Sequence, residues 1–178
     1  MILRTTGQEV ADQAKTGGYL GTPYEKLDCQ AFVEQVLKDL GVRKADGTPY
    51  NWRGSNSMWR HHIKWKGTIS ECEKKFGMIP EGAFLFVVKH DGGEEAKGYH
   101  DGEGNAKHVG LYLGNKQAMH SPSPGKTVCC APYTHFTHVG LMSMIDYSTS
   151  PEPAHNPDRE AALKALETLT KYIKEGII

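Results

Sequence analysis

Between Asp28 and Gly41 lies a stretch that can bury its apolar residues only as a helix. Cys29, Phe32, Val33, Val36, Leu37 and Leu40 recur at i, i+3, i+4, i+7, i+8 and i+11, a single apolar stripe at helical period. Asp28 supplies an N-cap and Gly41 a C′ residue, so both ends carry stop signals. Such a helix needs an apolar layer to cover its stripe, and the later sequence supplies one. Ala83-Phe84-Leu85-Phe86-Val87-Val88 is a short apolar run, predicted as a buried strand. Residues 108–113 and 117–120 read as two strands joined across Gly114-Asn115-Lys116, and residues 127–130 and 139–145 as a further strand pair. A helix followed by several antiparallel strands is an α+β pattern rather than alternating βαβ.

Elsewhere the periodicity is weaker. Residues 8–15 read as a shorter helix. Residues 44–77, with Trp52, Trp59 and Trp65, form an irregular insertion, in which a helix is expected over 55–64 and a turn over 70–75. The polar residues 90–107 read as a long loop or an irregular hairpin. One domain is therefore expected over 1–147, followed by a proline-rich linker at 148–157 and a C-terminal helix at 158–178. Lysines plus arginines number 21 and acids number 21, so no basic excess points to a nucleic-acid partner. No apolar run approaches the roughly 20 residues that span a bilayer. The first residues lack the apolar core of a signal peptide, so no membrane insertion and no signal-directed export are expected.

The four cysteines fit neither a CxxC pair nor a zinc-finger spacing. Cys72, Cys129 and Cys130 are read as buried or half-buried thiols. Adjacent side chains rarely hold one ion in regular structure, so His61-His62 and Cys129-Cys130 give no reason to expect a metal. Cys29 differs, because the first turn of a capped helix lies in a positive field that favours the thiolate. A thiol nucleophile also needs a base, and nine histidines compete for that role. In residues 108–113, Val109, Leu111 and Leu113 share one strand face, and His108, Gly110 and Tyr112 the other. Gly110 leaves space beside His108, through which a helix is expected to bring Cys29 to the imidazole. A two-residue loop at Gly114-Asn115 would set His120 on the opposite face from His108. An odd loop or a bulge would instead make them diagonal neighbours. His138 competes, since His138-Val139-Gly140-Leu141 repeats His108-Val109-Gly110-Leu111. Chain order and the adjoining hairpin favour His108.

Asp28-Cys29-Gln30-Ala31-Phe32-Val33 resembles the Asp-Cys-Ser-Gly-Phe/Leu-Val segment of NlpC/P60 cysteine peptidases. Gly21-Thr22-Pro23-Tyr24 resembles that family's Gly-Thr-Pro-Tyr. Pro80-Glu81-Gly82-Ala83-Phe84-Leu85-Phe86 is similar to its Pro-Gly-Asp-Leu-Val-Phe-Phe strand entry. His108-Val109-Gly110-Leu111-Tyr112-Leu113-Gly114, followed by Met119-His120-Ser121, is similar to its paired histidine strands. The resemblance implies a papain-like core in which the Cys29 helix packs on an antiparallel sheet. It also implies a peptidoglycan peptidase without a cofactor, cutting next to D-glutamate and a diamino acid. Cys29 would be the nucleophile, His108 the base and His120 its orienting partner. The Cys29 N–H and the Tyr24 hydroxyl would serve the oxyanion, with Tyr19 a rival to Tyr24, and Asp28 and Gln30 would lie at the substrate. Gln30-Ala31 stands where the family has Ser-Gly, which bears on subsite specificity. With no signal peptide, a cell-wall target implies another route of delivery, as for a phage lysis protein or endolysin. The same residues also fit a papain-like amidase or acyltransferase on another amide or ester, and a non-catalytic wall-binding module.

Overall fold

The computed structural model describes residues 4–90, 99 and 101–148. The expected linker beyond Ser148, the C-terminal helix and most of the polar loop after His90 lie outside the described residues. In chain order the elements are α1 (Gly7–Thr16), α2 (Cys29–Asp39), α3 (Ser55–Arg60), β1 (Ile63–Thr68), α4 (Ile69–Phe76), β2 (Phe84–Lys89), β3 (Asn105–Gly114), β4 (Gln117–His120), β5 (Cys129–Pro132), a 3-10 turn (Tyr133–His135) and β6 (His138–Met142). Among the described residues, six antiparallel strands form one sheet in the order β1-β6-β2-β3-β4-β5. The α+β reading holds, and α2 runs as its stripe dictates. Among the described residues no helix is long and apolar enough to cross a membrane.

Local chemistry explains the helix ends. Thr6 and Glu9 close a reciprocal capping box on α1, and Thr68 and Glu71 do the same on α4. Asp28 caps α2 by accepting the Ala31 N–H at 2.7 Å. Alternation along the strands then builds two cores. Phe84 and Phe86 on β2, Val109, Leu111 and Leu113 on β3 and Met119 on β4 face Val10, Ala14, Phe32, Val33, Val36 and Trp59 from α1, α2 and α3. Leu85, Ala118, Val139 and Leu141 face the other way, where Cys72 of α4 and Phe136 cover them.

Two expectations are corrected here. The strands read near 127–130 and 139–145 do not pair with each other. β5 borders β4, and β6 lies between β2 and β1 at the other side of the sheet. The insertion is also less irregular than its sequence suggested. It contributes α3, α4 and the edge strand β1, whose signal is the brief alternation Ile63-Lys64-Trp65-Lys66. Lysines on an edge strand are a common guard against further pairing.

The start of α1 meets the turn before β2 with no room to spare. A Cβ on Gly82 would sit 2.1 Å from the Gly7 carbonyl oxygen, and one on Gly7 would sit 2.2 Å from that of Glu81. Gly82 is also left-handed, at φ 71°. Gly82→Ala is therefore expected to cost about 3 kcal/mol, adding the clash to the backbone strain. Gly18→Ala, at φ 77° with nothing within 4 Å, should cost only about 1 kcal/mol. Urea unfolding midpoints of the two variants check the difference.

Candidate active site

The thiol sits where helix and strand meet. Cys29 opens α2 and is 8% exposed. The backbone N–H groups of Val109, Gln30 and Cys29 itself favour the charged form of its sulfur, which puts the thiol near Val109 of β3. Val109 follows His108 directly on β3, so the thiol at the head of α2 comes close to the strand at the residue next to that imidazole. Burial first, and then the neighbouring Cys29 and Asp28, push the Tyr24 phenol up, which puts Tyr24 beside the thiol. Tyr19, the rival, donates instead to Asp39 Oδ2 at 2.5 Å, at the opposite end of α2. Burial is the first cause lifting the Tyr19 phenol to about 12.

The field of the helix terminus does not decide the thiol's protonation. A helix terminus contributes about 0.3–1 kcal/mol at an exposed site. Full burial can move a titrating group by up to roughly 3–5 units, at about 1.4 kcal/mol each. Burial pushes the Cys29 thiol above its ordinary value; the Val109 N–H opposes that shift and the Asp28 carboxylate adds to it. The expected lowering is thus corrected, and the sulfur rests as a thiol.

The histidines gather through register. β3 and β4 pair Leu111 with Met119 and Tyr112 with Ala118, then Gly114 with Gln117, which leaves Leu113 as a bulge. Asn115 and Lys116 make the turn at φ 50° and 60°, the left-handed backbone of a two-residue hairpin. The bulge restores the register that an odd loop would have provided. His108 Nε2 and His120 Nδ1 consequently lie 2.7 Å apart. Gly110 permits this approach, though not by admitting a helix. Its absent Cβ would stand 2.9 Å from His120 Cβ, Met119 O and Phe136 Cζ alike. The space beside His108 is filled by β4 and by Phe136, whose ring stacks on His108 at 5.6 Å and 15°, while α2 covers the opposite face.

His138 is excluded from this group by one residue of register. On β2, Val87 pairs with His108, whereas Phe86 pairs with His138. Neighbouring residues point to opposite faces, so the repeated motif presents its two histidines to opposite sides of the sheet. The His138 ring packs on Trp59 at 5.5 Å. His135, in contrast, joins the pair although nothing in its local sequence signals it. Its ring lies 4.8 Å from that of His120 and 6.2 Å from that of His108. Each of the three offers a ring nitrogen, all within 4.8 Å of one another. Cys129 Sγ lies 3.9 Å from His120 Nε2. Burial, then the charges of His120 and His135, lowers His108 to about 3; burial and His135 lower His120 to about 4. Both imidazoles are neutral at neutral pH.

The remaining expected residues are placed as follows. Asp28 is exposed and occupied as the α2 cap. The Gln30 amide is engaged by its own chain: Nε2 donates to Trp52 O at 2.7 Å and to Glu34 Oε1 at 2.9 Å, and Oε1 accepts the Gly54 N–H. Gln30 therefore fastens residues 52–54 of the insertion against α2.

A model of the NlpC/P60 family matches residues 15–142. The chain belongs to the NlpC/P60 family. Solved structures agree on the fold. The NlpC/P60 domain of the peptidoglycan hydrolase SagA is 20% identical with a TM-score of 0.53, the match covering 78% of this chain and 100% of that one. An NlpC/P60 family protein from Bacillus cereus is 19% identical with a TM-score of 0.52, covering 80% of this chain and 42% of its own. A hypothetical invasion protein of Mycobacterium tuberculosis is 19% identical with a TM-score of 0.52, covering 83% and 67%. No match was found among curated proteins.

Asp28→Asn keeps a good capping side chain but removes the negative charge beside the sulfur. Iodoacetamide should then alkylate Cys29 a few-fold faster at pH 8 than in the wild type. In both proteins the rate should rise with pH through a midpoint above that of a free cysteine. A rate unchanged by the substitution would show that Asp28 does not act on the thiol.

Proposed function

We propose that this chain is a cysteine peptidase that hydrolyses peptidoglycan stem peptides at a D-glutamyl–diamino acid bond, with Cys29, His108 and His120 as its working residues. The observation that carries this reading is the buried thiol at the head of α2, close to Val109 and so to its neighbour in the chain, His108, which is itself paired with His120 at 2.7 Å. Membership of the NlpC/P60 family supports the hydrolase class, and the match to a peptidoglycan hydrolase supports the substrate class.

The proton inventory follows from one hydrogen bond. For His108 to accept the thiol proton at Nδ1, its own proton must sit on Nε2, from which it donates to His120 Nδ1. His120 then carries its proton on Nε2, directed at Cys129 Sγ. Cys29 attacks the amide carbon as its proton passes to His108 Nδ1, and His108 hands that proton to the leaving amine nitrogen. Water then attacks the thioester, giving a proton to His108, which returns it to the departing sulfur. Starting from a neutral pair avoids holding two buried charges before substrate arrives. The Cys29 N–H and the Tyr24 hydroxyl, both of which act on the thiol, would serve the oxyanion.

A second reading, hydrolysis or transfer at a different amide, rests on Gln30. Its amide is used in anchoring the insertion, so the position after Cys29 offers a substrate a different surface from that of a serine. Digestion of purified peptidoglycan from diaminopimelate-type and lysine-type walls decides between them. Wild type should release new stem-peptide termini by mass spectrometry, and Cys29→Ala should release none. Release that persists in Cys29→Ala would overturn the assignment, and silence on both walls would move the activity to another amide.

A further inference from the structure

His135 has no part in the proton path above, yet it completes an arrangement that the path does not need. His108 Nε2 and His120 Nδ1 face each other 2.7 Å apart. With His135, each of the three residues brings one ring nitrogen within 4.8 Å of those of the others. Three imidazoles around a tetrahedral zinc, with bonds of about 2.0–2.1 Å, hold their nitrogens roughly 3.3 Å apart, a separation that small ring rotations reach from here. His108 and His120 are fixed by strand register, by the Phe136 ring and by Gly110, and so are preorganised. His135 is exposed on its 3-10 turn, which gives an ion a way in from solvent. An all-nitrogen set suits zinc and its transition-metal neighbours, not magnesium or calcium.

We propose that His108, His120 and His135 form a reversible site for a divalent transition ion of borderline softness, with Zn2+ as the probe, and that its occupancy switches off the base. The inhibitory half rests on the peptidase reading; the site itself does not. The proton balance is explicit. A neutral imidazole bound to metal through Nε2 carries its single proton on Nδ1. The proton that His108 now shares with His120 moves to the nitrogen reserved for Cys29, and that nitrogen becomes a donor. The thiol proton then has nowhere to go, and no other bond is made or broken. His120 can bind through Nδ1 while its Nε2–H keeps its direction towards Cys129, the outer contact that orients a ligating imidazole.

Calorimetric titration of the full chain, thiols kept reduced, is expected to show one Zn2+ bound per chain and no heat from Mg2+. His135→Ala, at an exposed position, should weaken Zn2+ binding at least about tenfold while leaving metal-free wall hydrolysis unchanged. Cys29→Ala should bind Zn2+ as wild type does. Absence of binding, binding unaffected by His135→Ala, or binding lost in Cys29→Ala would each overturn the site. Wall hydrolysis should stop on adding Zn2+ and return with a chelator; hydrolysis that continues with the site filled overturns the inhibitory half. A chain that hydrolyses no wall even when metal-free counts against the peptidase reading alone, and calorimetry with His135→Ala then decides the site by itself.

Discussion

One extra residue in β3 sets the geometry on which the site depends. The bulge at Leu113 shifts the hairpin so that Leu111 opposes Met119. His120 is thereby brought onto the side of the sheet that carries His108. Without the bulge, the same two-residue turn would send the side chains of β4 to the opposite face. The 2.7 Å contact between the imidazoles, the close packing over Gly110 and the stacking of Phe136 all follow from that shift. The bulge is thus part of the site's construction, as bulges near functional groups often are.

Burial gives this constellation its electrostatic character. The thiol and both inner imidazoles are pushed towards their neutral forms, against a helix terminus that favours the thiolate. The helix contributes directed N–H groups more than charge. The Gln30 and Cys29 amides, with that of Val109, favour the charged sulfur against the cost of burial. In the proposed reaction, charge forms at such a site only as bonds change, where fixed donors are most effective.

The insertion serves the site from a distance. Gln30 and Glu34 on α2 hold Trp52 and Gly54, and the Trp52 ring stacks on Tyr50 at 4.7 Å. Further along, Arg60 binds Asp101 through two nitrogens, at 2.6 and 2.7 Å, and reaches the Tyr99 and Gly104 carbonyls. These contacts fasten the segment that leads into β3. Gln30, expected from the sequence to lie at the substrate, is therefore a structural tie between the helix that carries Cys29 and the insertion.

Local sequence was enough to specify α2, its cap, the apolar strands and the thiol at the helix start, because each depends on side-chain period and on neighbours within a few residues. The order of motifs was enough to assign the family. It was not enough to locate β1, whose alternation spans only six residues, or to say which strands pair across the sheet, because pairing is set by packing between distant segments. His108 and His138 head the same four-residue motif, and only a one-residue difference in register against β2 separates their faces. The protonation of Cys29 was misjudged from sequence because the helix field is local and burial is not. His135 enters for the same reason: its place beside His108 and His120 is determined by how the 3-10 turn after β5 folds back over the sheet, a long-range contact with no periodic trace in the chain.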